Sequence, residues 1–255
     1  YSDPSNKPSS AENVTDDLHA LLRAAGINGR IVLIGHSLGG LFATLYADKF
    51  EGDLSGLVLV DPVFAGKFHV SVAPQDNAIM LRELDDWVSA TRSCEKVADE
   101  GKLSPSNPQH CMPSSQVLQD QKLTPAEAEY LTQQFYRPSY YPSLLSEYEN
   151  SLSKEWMGRT AESIDGLQEA RRARSFGNLP LEVLTAGIPA HDPKVSDATN
   201  GAIRHVWISG HDKLAKRSTV GESIVIQNSH HFIQMEQPDA VVAAIRKVVS
   251  EARQP

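Results

Sequence analysis

Apolar positions along the chain keep two rhythms, one helical and one of short unbroken runs. Val14, Leu18, Leu21, Leu22 and Ala25 recur at helical intervals. Ser9 and Glu12 stand at capping-box spacing before them, so an amphipathic helix is predicted up to Gly26. Asn28-Gly29 turns the chain into Ile31-Val32-Leu33-Ile34, a run that predicts a parallel strand covered on both faces. After Ser37, Leu38, Leu41, Phe42, Leu45 and Tyr46 return to helical spacing as far as about Phe50. Gly56-Leu57-Val58-Leu59-Val60 predicts a second buried strand, ended by Asp61-Pro62 because proline has no N–H for the ladder. Strand, helix and strand make a βαβ unit.

From Pro62 to Asn178 the rhythm changes to polar helices broken by Pro105, Pro108, Pro113, Pro138 and Pro142, which reads as a helical insertion. Leu179–Thr185 and Ser223–Gln227 then predict two more strands, with a helix at Asp212–Arg217 between them. An apolar-faced helix over Ala240–Val249 closes the chain. The expected fold class is α/β, a mostly parallel sheet flanked by helices. Residues 1–61 and 179–255 form its core and 62–178 the insertion.

Composition narrows the function classes without choosing one. A chain of 255 residues, 40% hydrophobic and 22% charged, is long and apolar enough to bury a core. Its net charge of -8 leaves no basic surplus for a nucleic-acid partner. No stretch reaches the roughly 20 apolar residues of a membrane span, and Tyr1–Pro8 lacks a signal-peptide pattern. A soluble chain, cytoplasmic or secreted, is expected. Cys94 and Cys111 flank a segment that a disulfide could close, and two free thiols fit equally.

The chemistry concentrates in Gly35-His36-Ser37-Leu38-Gly39. As a bare Gly-x-Ser-x-Gly match it has modest specificity. Placed between a buried strand and a helix, it has the setting of a nucleophile elbow, whose tight turn exposes the serine oxygen at the sheet edge. Gly35 and Gly39, lacking Cβ, are expected to let strand and helix pack closely there. A serine hydroxyl is a poor nucleophile at neutral pH and needs a base within hydrogen-bond reach. Nine histidines are present, and the last pair, His230-His231, follows the last predicted strand.

Gly-His-Ser-Leu-Gly-Gly on the elbow and His231-Phe232-Ile233-x-x-Glu236-x-Pro238 near the carboxyl end resemble the α/β-hydrolase superfamily, especially its cap-bearing esterase and lipase-like members. The resemblance implies His231 as base. At His230 the family more often has glycine. For the acid it implies Asp61, at the end of the strand after the elbow helix, or Asp192, after the next strand. Asp61 is preferred because the turn before Asp192 is two residues longer than usual; Asp197 and Asp212 are lesser candidates. The backbone N–H of Leu38, at the start of the elbow helix, is the expected oxyanion donor.

The same resemblance makes 62–178 a cap, where Tyr130, Phe135, Tyr136, Tyr140, Tyr141, Tyr148 and Trp156 either line an acyl pocket or pack as the cap's own core. The family has four strands before the elbow strand, and this chain has one helix there. That predicts a missing amino-terminal segment before Tyr1 or another chain completing the sheet, together with the second oxyanion donor. The implied activity is ester hydrolysis of a small-molecule acyl substrate through an acyl-enzyme on Ser37, with no cofactor. Amidase, aminopeptidase or lyase chemistry on the same triad is the alternative within the fold. A non-catalytic binding protein on a hydrolase scaffold is the alternative outside it.

Overall fold

A computed structural model of the chain describes residues 5–65, 72–104, 111, 124–151 and 163–253. Among the described residues four strands form one parallel sheet in the order β1-β2-β3-β4: β1 Ile31–His36, β2 Leu54–Val60, β3 Leu181–Ala186 and β4 Glu222–Ile226. Parallel neighbours need crossover connections. Helix α1 (Ala11–Ala24) precedes the sheet, and α2 (Leu38–Lys49) joins β1 to β2. The described residues between β2 and β3 include four helices: α3 Pro74–Asp99, α4 Pro125–Gln134, α5 Tyr140–Ser151 and α6 Ile164–Arg172. Next come α7 (Asp197–Ala215) before β4, the one-turn α8 (Ile233–Glu236) and the closing α9 (Pro238–Glu251).

The two-residue period of β2 divides the core. Leu57 and Leu59 join Ala43, Tyr46 and Ala47 of α2 and Leu214 of α7 on one face. Val58 and Val60 join Ile233 and the Val241, Ala244 and Val248 stripe of α9 on the other. Burying a side chain of this size contributes roughly 1.5–3 kcal/mol, so the paired faces of β2 and β3 anchor the sheet. β1 departs from expectation. It lies at the sheet edge among the described residues, and Ile34 is 44% exposed instead of covered.

Two helices also differ from the sequence reading. The predicted helix at Asp212–Arg217 is only the end of the 19-residue α7, which begins on the Ser196 cap. Its mixed apolar and polar faces hide the helical period, since it packs under the sheet while also bordering a cavity. At α1 the cap is Ser10, whose side chain accepts from the Asn13 amide, whereas the Ser9 amide donates to Ser146 Oγ at 2.9 Å.

Within the segment between β2 and β3, Cys94 of α3 and Cys111 form a disulfide with Cα atoms 5.4 Å apart. Leu103 and Tyr141 pack around it, with Tyr136 and Tyr140 alongside. Tyr136, Tyr140 and Tyr141 of the predicted aromatic cluster are therefore packing. Tyr148 instead stacks on Trp87 with ring centres 6.0 Å apart and borders a cavity; Trp156 lies outside the described residues.

Candidate active site

Ser37 stands between β1 and α2 with φ 53 and ψ -125, a left-handed conformation costly for a residue with a side chain. The surroundings hold it there. Its N–H donates to Val60 O at 3.1 Å, and its carbonyl accepts from the Gly40 and Val63 amides at 2.9 Å. A Cβ on Gly35 would lie 2.4 Å from Gly39 O, and one on Gly40 the same distance from Pro62 Cβ. Gly39 faces open space, so the close approach expected there falls on Gly40.

β2 ends at Asp61, the only other described non-glycine residue with positive φ (42). Its N–H donates to Leu184 O at 2.7 Å, which turns the carboxylate across the ends of β2 and β3. Asp61 is 3% exposed. Its Oδ1 accepts from the Ala186 amide at 3.0 Å and from Trp207 Nε1 at 2.9 Å, and its Oδ2 lies 2.6 Å from His231 Nδ1. Burial alone would push this carboxyl up, but hydrogen bonds from His231, Ala186 and Trp207 outweigh it and hold the group below its ordinary value. The ionised carboxylate accepts only, so His231 carries its proton on Nδ1. That leaves Nε2, 2.8 Å from Ser37 Oγ, as an acceptor for the serine hydroxyl.

His231 is held from its backbone as well. His36 Nε2 donates to His231 O at 2.9 Å, with the two rings 4.6 Å apart; burial keeps His36 below its ordinary pKa, hence neutral. His211, fully buried, donates from Nε2 to Pro62 O at 2.8 Å and accepts from Thr185 Oγ1 at 2.7 Å, which ties α7 to the turn after Asp61.

Sequence reasoning missed Trp207, His36 and His211. The Ser196-Asp197 start of α7 was the signal that could have revealed the first two turns of the helix carrying Trp207 and His211.

Ser37, His231 and Asp61 thus come together, and the other predicted residues do not join them. Asp192 orders its own loop, accepting from the Lys194 amide at 2.9 Å. Asp197 opens α7, and Asp212 is exposed on it. His230 is exposed and bonds Glu236 at 3.1 Å. Leu38 opens α2, where first-turn amides have no carbonyl partner within the helix.

Ser37, Leu38, Asp61 and His231 border one cavity of about 1020 Å³. Its walls are largely apolar, with Leu84 and Trp87 from α3, Tyr148 from α5 and Trp207 from α7. Among the described residues no group of three or more His, Cys, Asp or Glu could hold a metal ion, and no helix is long and apolar enough to cross a membrane.

A parallel sheet that turns a strained serine onto a helix start, with a histidine and a buried aspartate in line behind it, has the architecture of a nucleophile elbow. The chain belongs to the alpha/beta hydrolase family, whose family model matches residues 2–244. A search of the curated proteins found no match.

Among solved structures, a probable hydrolytic enzyme from Pseudomonas aeruginosa PAO1 is 18% identical with a TM-score of 0.55, covering 99% of this chain and 72% of that one. A meta-cleavage product hydrolase from Pseudomonas fluorescens IP01 is 16% identical with a TM-score of 0.54, covering 99% and 76%. MenH from S. aureus is 16% identical with a TM-score of 0.52, covering 100% and 80%. At these identities the likeness is one of fold.

Proposed function

We propose that the protein is a serine hydrolase that cleaves a carboxylic ester through an acyl-enzyme. The observation that carries this reading is the continuous line from Ser37 Oγ to His231 Nε2 at 2.8 Å and from His231 Nδ1 to Asp61 Oδ2 at 2.6 Å. Ser37 Oγ attacks the ester carbonyl carbon while its proton passes to His231 Nε2, and Asp61 stabilises the imidazolium that forms. The Leu38 amide, at the positive end of α2, donates to the oxyanion. His231 then returns the proton to the departing alkoxide as the carbon–oxygen bond breaks. Water attacks the acyl-serine through the same base, releasing the acid and restoring Ser37.

Residues 62–178 act in this reading as a cap, whose α3 and α5 wall the cavity above Ser37. Hydrolysis of 4-nitrophenyl esters by wild type and Ser37→Ala tests the proposal. Wild type is expected to turn over and Ser37→Ala to lose nearly all of the rate. A folded wild type inert toward every ester would leave the non-catalytic binding reading.

A further inference from the structure

The cavity above Ser37 is apolar except for a few charged groups, and those groups differ in whether they have partners. Lys194 is paired with Glu83 and lies near Asp86. Glu147, on α5, is pushed above its ordinary pKa by burial.

Arg204 differs from both. It lies on α7 one turn before Trp207, is half-buried and borders the cavity. Its one hydrogen bond among the described residues is from Nη2 to Gly187 O at 3.3 Å, with no carboxylate at salt-bridge distance. Other arginines of the fold are matched: Arg217 holds Asp48 and Glu169, Arg174 holds Glu51 at 2.8 Å, and Arg172 holds Glu12 at 3.0 Å. A guanidinium offers five N–H donors in a planar fork that fits a carboxylate. At Arg204 most of that fork is unused, in the lining of the same cavity as Ser37.

Resting on the hydrolase reading above, we infer that Arg204 anchors a carboxylate on the substrate, so that the preferred esters carry an anionic group at the far end of an apolar chain. The volume suits such a molecule: at about 1020 Å³ the cavity stands at the upper end of ordinary ligand sites. Its apolar walls take the methylene chain, and the remaining N–H donors of Arg204 take the terminal charge.

The test is a matched series. Mono-4-nitrophenyl esters of adipic, suberic and sebacic acid, each ending in a carboxylate, are compared with 4-nitrophenyl alkanoates of equal chain length. Wild type is expected to prefer the carboxylate member of at least one pair in kcat/KM, and the preference is expected to shrink as ionic strength rises. In Arg204→Gln the ratio of charged to neutral kcat/KM is expected to fall about tenfold, the loss of one charge-assisted contact. Arg204→Lys, which keeps the charge without the fork, is expected to fall between the two.

Equal or greater wild-type preference for the neutral esters at every length overturns the inference while ester hydrolysis stands. A ratio unchanged in Arg204→Gln does the same. Wild type inert toward both series overturns the hydrolase reading and this inference with it.

Discussion

Asp61 receives two hydrogen bonds on one carboxylate oxygen and faces His231 with the other. Each oxygen therefore has one duty. The Ala186 amide and Trp207 Nε1 fix the plane of the group, and His231 reads that plane as a ring orientation. Replacing Asp61 by Asn puts an amide where Nδ1 needs an acceptor and favours the wrong imidazole tautomer; a kcat loss on the order of 10³–10⁴ is expected. Asp192→Asn is expected to retain most of the activity, because that side chain only orders its own loop. A large loss from Asp192→Asn alone, measured side by side, would reverse the assignment of the acid.

Trp207 acts through Asp61 as a positioning residue. Trp207→Phe keeps a ring beside Phe64 and His211 but removes the donor that helps hold the Asp61 pKa down. With that donor gone the Asp61 carboxylate directs more of its charge at His231 and stabilises the imidazolium more strongly, so the acid limb of the kcat/KM profile is expected to move to higher pH. An unmoved limb, with KM alone changed, would reduce Trp207 to a wall of the cavity.

The start of α1 shows why its cap was misread from sequence. The orphan amides there are satisfied from α6, a segment more than 150 residues away: the Ala11 amide donates to Asp165 Oδ1 at 2.7 Å and the Glu12 amide to Gln168 Oε1 at 2.8 Å. A local spacing rule cannot see such partners. α2, β2, β3 and α9 were legible because their apolar periods face the core directly, and β1 and β4 because short apolar runs mark them even where they are partly exposed, whereas α7 was read short because one side of it borders a cavity.

The α1–α6 junction also carries a pH dependence. Asp165 is fully buried, its Oδ2 has no partner among the described residues, and burial pushes its pKa from 3.8 up to about 6. A folded-state pKa above the unfolded one means the stabilising contribution is complete below the unfolded value and is lost as pH rises through about 6. Thermal unfolding is therefore expected to show wild type losing stability between about pH 4 and pH 6.5 relative to Asp165→Asn, which cannot ionise. Parallel Tm curves for the two proteins would show that Asp165 does not titrate in this range.

Across the molecule, the carboxyl ends of β1, β2 and β4 deliver Ser37, Asp61 and the loop of His231 to one edge of the sheet. The serine and the histidine were legible as motifs with a family register. The acid was legible as one of two candidates, and only the chain's path after β2, with positive φ at Asp61, turns its carboxylate toward His231. What no motif marks is the support around them: Trp207 and His211 are ordinary residues in sequence, and His36 stands in the elbow motif without any sign there of its bond to the His231 carbonyl.

The central claim is that Ser37 is a nucleophile made reactive by His231. A fluorophosphonate probe followed by intact-protein and peptide mass measurement tests it most directly. The predicted result is one covalent adduct on the peptide containing Ser37, absent in Ser37→Ala and strongly slowed in His231→Ala, with His230→Gly still labelled. An adduct on any other residue, or a well-folded wild type that takes up no probe, would contradict it.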